Sequence, residues 1–305
     1  MYFFFVSTST TCLFITHRFH RRTRMKIAVT GATGQLGRLA IAALRTRVPA
    51  ADIVALARSA GNAADLGVEV RHADYTDRAS LDAALQGIDV LAFISSSDFN
   101  DRIGQHRNVI DAATRAGVSR IVYTSILKAD ASPLMVATDH KVTEQLIVGS
   151  GLACTMLRNP WYIENWTGSL GASVAAGAII GCAGQGRVSP ATRQDLAEAL
   201  AAVAAGPDHA GRIYELGSDT PFTLADLAAE VSAQTGRHIP YHDMPKDVFL
   251  GILGGFGLPP GLPEVIADAD ACAAGGWLLD ESRTLSALIG RPTTSLGDAV
   301  RQALA

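Results

Sequence analysis

The sequence predicts a doubly wound α/β fold, a parallel sheet covered by helices on both faces, with a smaller C-terminal substrate lobe. Three observations point there. Apolar, strand-like runs alternate with amphipathic helical runs through the first half, a glycine-rich turn follows the opening run, and beyond Pro160 the texture changes to Gly- and Ala-rich segments. The 305 residues are 48% hydrophobic and 18% charged. With mean hydropathy +0.20 the chain is too apolar for disorder, and without a long uncharged run stable membrane insertion is not expected. A net charge of −3 with no sustained basic stripe argues against a nucleic-acid partner. Cys12, Cys154, Cys182 and Cys272 form no CxxC pair, so neither a metal cage nor a disulfide framework is expected, and a cytoplasmic location suits them.

Residues 1–24 open with aromatics, continue as a Ser/Thr-rich apolar stretch and close with Arg18, Arg21, Arg22 and Arg24. An export signal carries its charges before the apolar stretch, and a span needs a longer one. The segment is therefore expected to stand outside the fold, which begins at Met25.

From Met25 the elements follow in order. KIAVTG is a β-branched run ending in Gly, and QLGRLAIAALRTR has helical apolar spacing until Val48-Pro49 breaks it. IVALAR and LGVEVRHADY give the second and third strands, SLDAALQGI a helix, DVLAFISSS the fourth strand, and QHRNVIDAATRAGV a helix leading into the fifth strand, RIVYTS. Strand-helix repeats in this order predict a parallel sheet with its cofactor at the carboxyl ends of the strands. Residues 25–160 are read as the nucleotide-binding domain and 161–305 as the substrate lobe. In that lobe IYELGS is a candidate strand to return to the main sheet, and the glycines and prolines of FLGILGGFGLPPGLPE read as a mobile loop region.

The turn Gly31-Ala32-Thr33-Gly34-Gln35-Leu36-Gly37 lies between the first strand and first helix. Its glycines allow a tight turn and close approach of backbone N–H groups to a pyrophosphate, and the helix N-terminus adds partial positive charge. The second strand ends in Arg58, where an NAD-selective site carries an acid; an arginine there pairs with a 2′-phosphate, so NADPH is the expected cofactor. Asp74 and Tyr75 close the third strand beside the expected adenine, Ser95, Ser96 and Ser97 close the fourth, and Thr124 and Ser125 close the fifth.

These segments, with TDH, LRNPWYIEN, ATRQD and YELGSD, resemble the NmrA-like atypical short-chain dehydrogenase/reductases from Met25 to near the C-terminus. GATG recurs among many relatives, whereas SSS, QHRNVI and LRNPWYIEN in this order are more specific. The resemblance is greatest to the quinone-reducing members, and it implies NADPH binding and reduction of quinones without a bound flavin. The family also holds dinucleotide-binding redox sensors without catalytic activity, which is the alternative reading. A homodimer is left open.

Ordinary members of the wider superfamily carry Tyr-x-x-x-Lys on the helix after the fifth strand, where the lysine lowers the tyrosine pKa for proton transfer. Here His140 and Glu144 occupy those positions, i and i+4 on one face, a spacing that allows a carboxylate-oriented imidazole. A quinone accepts hydride readily, so the demand falls on orientation of the ring rather than on an acid. His140, Asn159 and Trp161 are the expected substrate-side residues: His140 as a weak acid, Asn159 to fix a carboxamide or quinone oxygen, Trp161 as a flat face. Reductases of other conjugated carbonyls use a lysine in this region, for which Lys128 and Lys141 are candidates with poor spacing.

Overall fold

The computed structural model describes residues 25–98 and 100–305, so the reading of residues 1–24 falls outside the described residues. The strands are β1 (Ile27–Val29), β2 (Ile53–Ala57), β3 (Glu69–His72), β4 (Val90–Phe93), β5 (Arg120–Ile126), β6 (Ala153–Asn159), β7 (Ile179–Gly181), β8 (Arg212–Glu215) and β9 (Tyr241–Asp243). Seven of them form one sheet in the order β3-β2-β1-β4-β5-β6-β8, and every neighbouring pair is parallel. β1, β2, β4 and β5 are buried throughout, which is why they read as continuous apolar runs rather than as alternation. β8 extends the sheet beyond β6, and β7 and β9 pair separately.

Helices α1 (Gln35–Arg45), α2 (Arg78–Ala84), α3 (Arg102–Arg115) and α4 (Ala137–Gly149) cross between the strands. α2, α3 and α4 cover one face, packing Leu81, Val109, Ala113 and Ile147 against Leu91, Phe93 and Tyr123. Between β2 and β3 the connection is a 3₁₀ turn, Gly61–Leu66, closed by Gly67 at φ 67°.

Beyond β6 come α5 (Glu164–Thr167), α6 (Leu170–Ala176), α7 (Arg193–Ala205), α8 (Leu224–Thr235), α9 (Lys246–Gly254), α10 (Leu262–Ala274), α11 (Thr284–Ile289) and α12 (Leu296–Leu304). α7 and α11 lie with α1 on the second face of the main sheet, so Leu196, Leu200, Val203 and Leu285 share its core. A separate core holds Ile163, Leu170, Phe222, Leu227, Ala273 and Val300.

The mobile loop read over FLGILGGFGLPPGLPE is corrected: most of it lies in α9 and α10. Phe249 and Leu253, one helical turn apart, bury against Ala267 of α10, and that packing outweighs the helix cost of the glycines. No helix among the described residues is long and apolar enough to cross a membrane.

Candidate functional site

The strand order reverses between β1 and β4, and the crevice there is where ligands of open parallel sheets bind. The edges of the crevice are tied together. Thr30 Oγ1 accepts from Ile94 N at 2.9 Å, and the hydroxyl of Tyr75, which with Asp74 lies in the turn beyond β3 rather than closing it, donates to the Ile94 carbonyl at 2.8 Å.

The glycine turn forms one wall. Gly31 sits at φ 57°, and a Cβ on Gly37 would meet the backbone of Gly31 and Ala32, so the helix approaches the turn only because that atom is missing. Gly34 is the N-cap of α1 and offers no capping side chain. Among the described residues no hydrogen bond uses the N–H groups of Gln35, Leu36 or Gly37. A helix start left in that state favours an anion. Ala32 and Leu36 are buried beneath the turn, whereas Gly31, Gly34 and Gln35 are exposed and Thr33 is half-buried.

Arg58 is exposed at the end of β2, and its side chain makes no hydrogen bond among the described residues; His72 Nδ1 engages its carbonyl at 3.1 Å. The sequence reading missed a second cation. Arg38, directly after Gly37, bonds Thr33 O at 3.3 Å and Asp65 at 2.7 Å, fastening the glycine turn to the 3₁₀ turn beyond Arg58.

Hydrogen bonding divides the remaining candidates into groups that build the crevice and groups left to meet a ligand. The Asp74 carboxylate accepts from the Thr76 N–H and hydroxyl, which hold its pKa below the usual range. The Tyr75 ring packs edge-on against Phe93 and His106. Ser96 Oγ donates to Gln105, the Thr124 hydroxyl receives Ser95 N at 3.0 Å, and Ser125 Oγ donates to Glu144 at 2.6 Å. The hydroxyls of Ser95 and Ser97 have no partner among the described residues.

Behind the β4 end lies a layer that the sequence reading also missed. His106 Nε2 accepts from Ser96 N at 2.9 Å while its Nδ1 meets Thr143 Oγ1 at 2.8 Å; Arg102 Nε holds Ser96 O at 2.8 Å. His106 is fully buried, and burial aided by Arg102 lowers its pKa to about 3, so it is neutral. QHRNVI stood out in the sequence, but nothing local showed that its histidine turns inward.

The His140–Glu144 pairing that the helical spacing allows is not formed. His140 Nδ1 lies 2.8 Å from the Tyr123 hydroxyl, and Glu144 is held instead by Arg158, whose Nε and Nη2 reach its two oxygens at 3.0 and 2.8 Å. A carboxylate gains more from a forked guanidinium than from a neutral imidazole. The Arg158 Nη1 also reaches Asp130 at 2.6 Å and Glu215 at 2.9 Å. Burial opposes the Arg158 charge, but hydrogen bonds to Glu144 and Glu215 outweigh it and raise its pKa. Burial, with Arg102 and His106 adding to it, drives the His140 pKa well below the ordinary value.

Asn159 ends β6, paired in register with Ile126. It is 4% exposed; its side chain meets the Tyr162 hydroxyl, and its Oδ1 is buried without a partner among the described residues. An acceptor in that state is costly unless a ligand donor reaches it. Trp161 is half-buried against the core of Ile126 and Ile163, and Tyr162 carries the Arg193 guanidinium 4.4 Å above its ring. Lys128 donates to Gly276 O at 3.1 Å and Lys141 to Asp130 O at 3.0 Å, so both lysines are structural ties.

The reversal crevice, the glycine turn on an uncapped helix and the cation at the end of β2 define a dinucleotide-binding α/β protein of the doubly wound type. The chain belongs to the NmrA-like family, whose model matches residues 23–272. It is 48% identical to quinone oxidoreductase 2 of Escherichia coli K12 over 277 residues, 90% of this chain and 97% of that protein. The solved structure of the NADPH-dependent quinone oxidoreductase QOR2 of E. coli complexed with NADPH superposes with a TM-score of 0.90 at 47% identity, covering 92% of this chain and all of that one. Citrobacter sp. triphenylmethane reductase complexed with NADP(H) gives 0.87 at 37% identity over 91% of this chain and 100% of that chain.

Proposed function

We propose that this chain is an NADPH-dependent quinone oxidoreductase that reduces quinones to hydroquinones by direct hydride transfer without flavin. The observation that carries this reading is the near end-to-end similarity to a quinone oxidoreductase whose solved structure holds NADPH. The residues present fit that cofactor. The unclaimed N–H groups of Gln35, Leu36 and Gly37 suit the pyrophosphate, Arg58 the 2′-phosphate, and the orphaned Asn159 Oδ1 a carboxamide N–H. Gly31, Ala32, Thr33, Gly34 and the Ser95–Ser97 loop would line the groove, with Asp74, Tyr75, Thr124 and Ser125 holding its shape.

Bound NADPH supplies the hydride. The protein's own task is to hold a quinone against it and keep water from the reacting face. Trp161 offers a ring face, and the carboxyl ends of β5 and β6 carry the polar groups that orient the quinone oxygens. No tyrosine-lysine couple is needed, because a hydroquinone anion is stable enough to take its proton from water. A reducing compartment, which we read as the cytoplasm, suits the free thiols of Cys154, Cys182 and Cys272, whose pKa values burial raises. The test is the loss of reduced-nicotinamide absorbance on anaerobic mixing of NADPH with a panel of quinones. Stoichiometric hydroquinone is expected; tight NADPH binding with no turnover on any quinone would instead favour the sensor reading.

A further inference from the structure

Tyr123 and His140 decide each other's proton. Tyr123 has no exposed surface and His140 keeps 7%, and the phenol oxygen lies 2.8 Å from Nδ1. Neither group carries charge near neutral pH, because burial raises the Tyr123 pKa and lowers that of His140. A neutral phenol and a neutral imidazole can share this bond in two ways. The phenol donates to a bare Nδ1, leaving the imidazole proton on Nε2, or Nδ1–H donates to the phenol oxygen and the phenol proton must go elsewhere.

The surroundings settle the choice. The other side chain that meets the Tyr123 hydroxyl is Thr143. Its own proton goes to Asp139 O at 2.7 Å. It also receives the His106 Nδ1–H, since His106 Nε2 is bare to accept from Ser96 N. Among the described residues the Tyr123 hydroxyl has hydrogen-bond geometry with Nδ1 of His140 and not with Thr143, so the phenol proton goes to Nδ1. Among the described residues the hydrogen bond of the His140 ring is made through Nδ1, and Nε2 is engaged by none.

We propose that Tyr123 is a positioning residue that fixes His140 as the Nε2–H tautomer, so that His140 presents a neutral N–H donor, and not an acid, to the quinone oxygen. The inference rests on the quinone-reductase reading and on His140 belonging to the quinone side of the cleft. Two-electron reduction places negative charge on a quinone oxygen. An Nε2–H bonded to that oxygen stabilises the charge without parting with its proton, and the proton that completes the hydroquinone comes from water; a neutral imidazole can play this electrophilic role. The charged and titratable groups around the ring are Arg102 and His106 on α3, Tyr123 on β5, and Asp139, Lys141 and Glu144 on its own helix. Asp139 pairs with Arg102 at 3.6 Å and Glu144 with Arg158, so no unpaired carboxylate is left to draw a proton onto the imidazole.

The test is long-range proton–nitrogen NMR on the full chain labelled with ¹⁵N-histidine, with His140→Ala identifying the signal. In the wild type His140 should show a pyridine-type Nδ1 and a pyrrole-type Nε2, unchanged across neutral pH. Tyr123→Phe should move the two shifts toward each other as the tautomers mix, and lower quinone kcat on the order of tenfold, the factor set by about one hydrogen bond, with NADPH affinity held. An Nδ1–H tautomer in the wild type, or an unmixed Nε2–H tautomer in the variant, would overturn the proposal. The wild-type spectrum decides even if the variant folds poorly. Absence of turnover by the wild type on every quinone would sink the functional reading, a result separate from the tautomer read in the resting protein.

Discussion

The backbone N–H of Ser96 donates to Nε2 of His106 over 2.9 Å, so the loop that closes β4 hangs on a side chain from α3 that can accept only while it is neutral. The histidine pKa falls from 6.5 to about 3 on folding. Above pH 6.5 both states are neutral and the bond is fully present. As pH falls below 6.5 the unfolded chain binds a proton that the folded one refuses, and stability is lost until the folded value is reached. His140, also depressed, acts in the same direction. Asp270, raised by burial from 3.8 to about 6, acts in the opposite one: the folded state takes up its proton first, so stability is gained as pH falls from about 6 toward 3.8.

His106→Gln keeps an acceptor for Ser96 but removes one titration. Its stability should decline less steeply than the wild type between pH 6.5 and 5, by up to ~1.4 kcal/mol per pH unit, the value of one proton. Denaturant melts of both proteins across that range check this, and since Asp270 is common to both its contribution cancels. Parallel curves would show that His106 titrates alike in both states.

Arg58→Ala should weaken NADPH binding by ~1.5 to 3 kcal/mol, the range for a hydrogen bond to a charged group, and leave NADH nearly unchanged. Titration of both cofactors against the two proteins measures it. Equal losses would make Arg58 structural.

Gly37→Ala sets a Cβ 2.8 Å from the Ala32 Cα, with backbone on both sides and no flexible side chain to yield. We expect a loss of about 1 to 3 kcal/mol in stability together with impaired NADPH binding. Gly251→Ala is the contrast, since a Cβ there meets nothing within 4 Å and the residue is inside α9. That change should stabilise by roughly 0.5 to 1 kcal/mol and leave cofactor affinity alone.

His140→Ala should lower quinone turnover by less than about 10²-fold, below the upper range of general acid catalysis, because water can supply the proton. Its pH–rate profile should match the wild type between pH 6 and 8 to within about twofold, since a buried neutral imidazole has no titration there to lose. A near-total loss of turnover with NADPH binding intact would mean an essential acid and a less reactive carbonyl substrate.

Asn159→Ala should raise the Kd for NADPH, whose carboxamide N–H loses the acceptor that Oδ1 offers it. It should cost less stability than deletion of a satisfied buried amide, because Oδ1 has no partner in the fold. NADPH titration beside thermal melts separates the two effects.

The sequence by itself determined the parallel sheet and its phosphate cradle. Both are written locally: apolar runs mark β1, β2, β4 and β5, and the glycines that let the turn close lie between Gly31 and Gly37. Arg58 was legible for the same reason, being the residue next after β2. Only the tertiary structure decided which partners the buried polar groups take. Spacing on α4 allowed His140 to meet Glu144, but β6 brings Arg158 to that carboxylate and β5 brings Tyr123 to the imidazole. The helix over Phe249–Gly254 depends likewise on Ala267, further along the chain. The strands and the glycine turn follow from residues a few positions apart, whereas a glycine-rich helix needs a packing partner and a side chain's partner is chosen among all the groups that packing brings within reach, where the strongest available pairing wins.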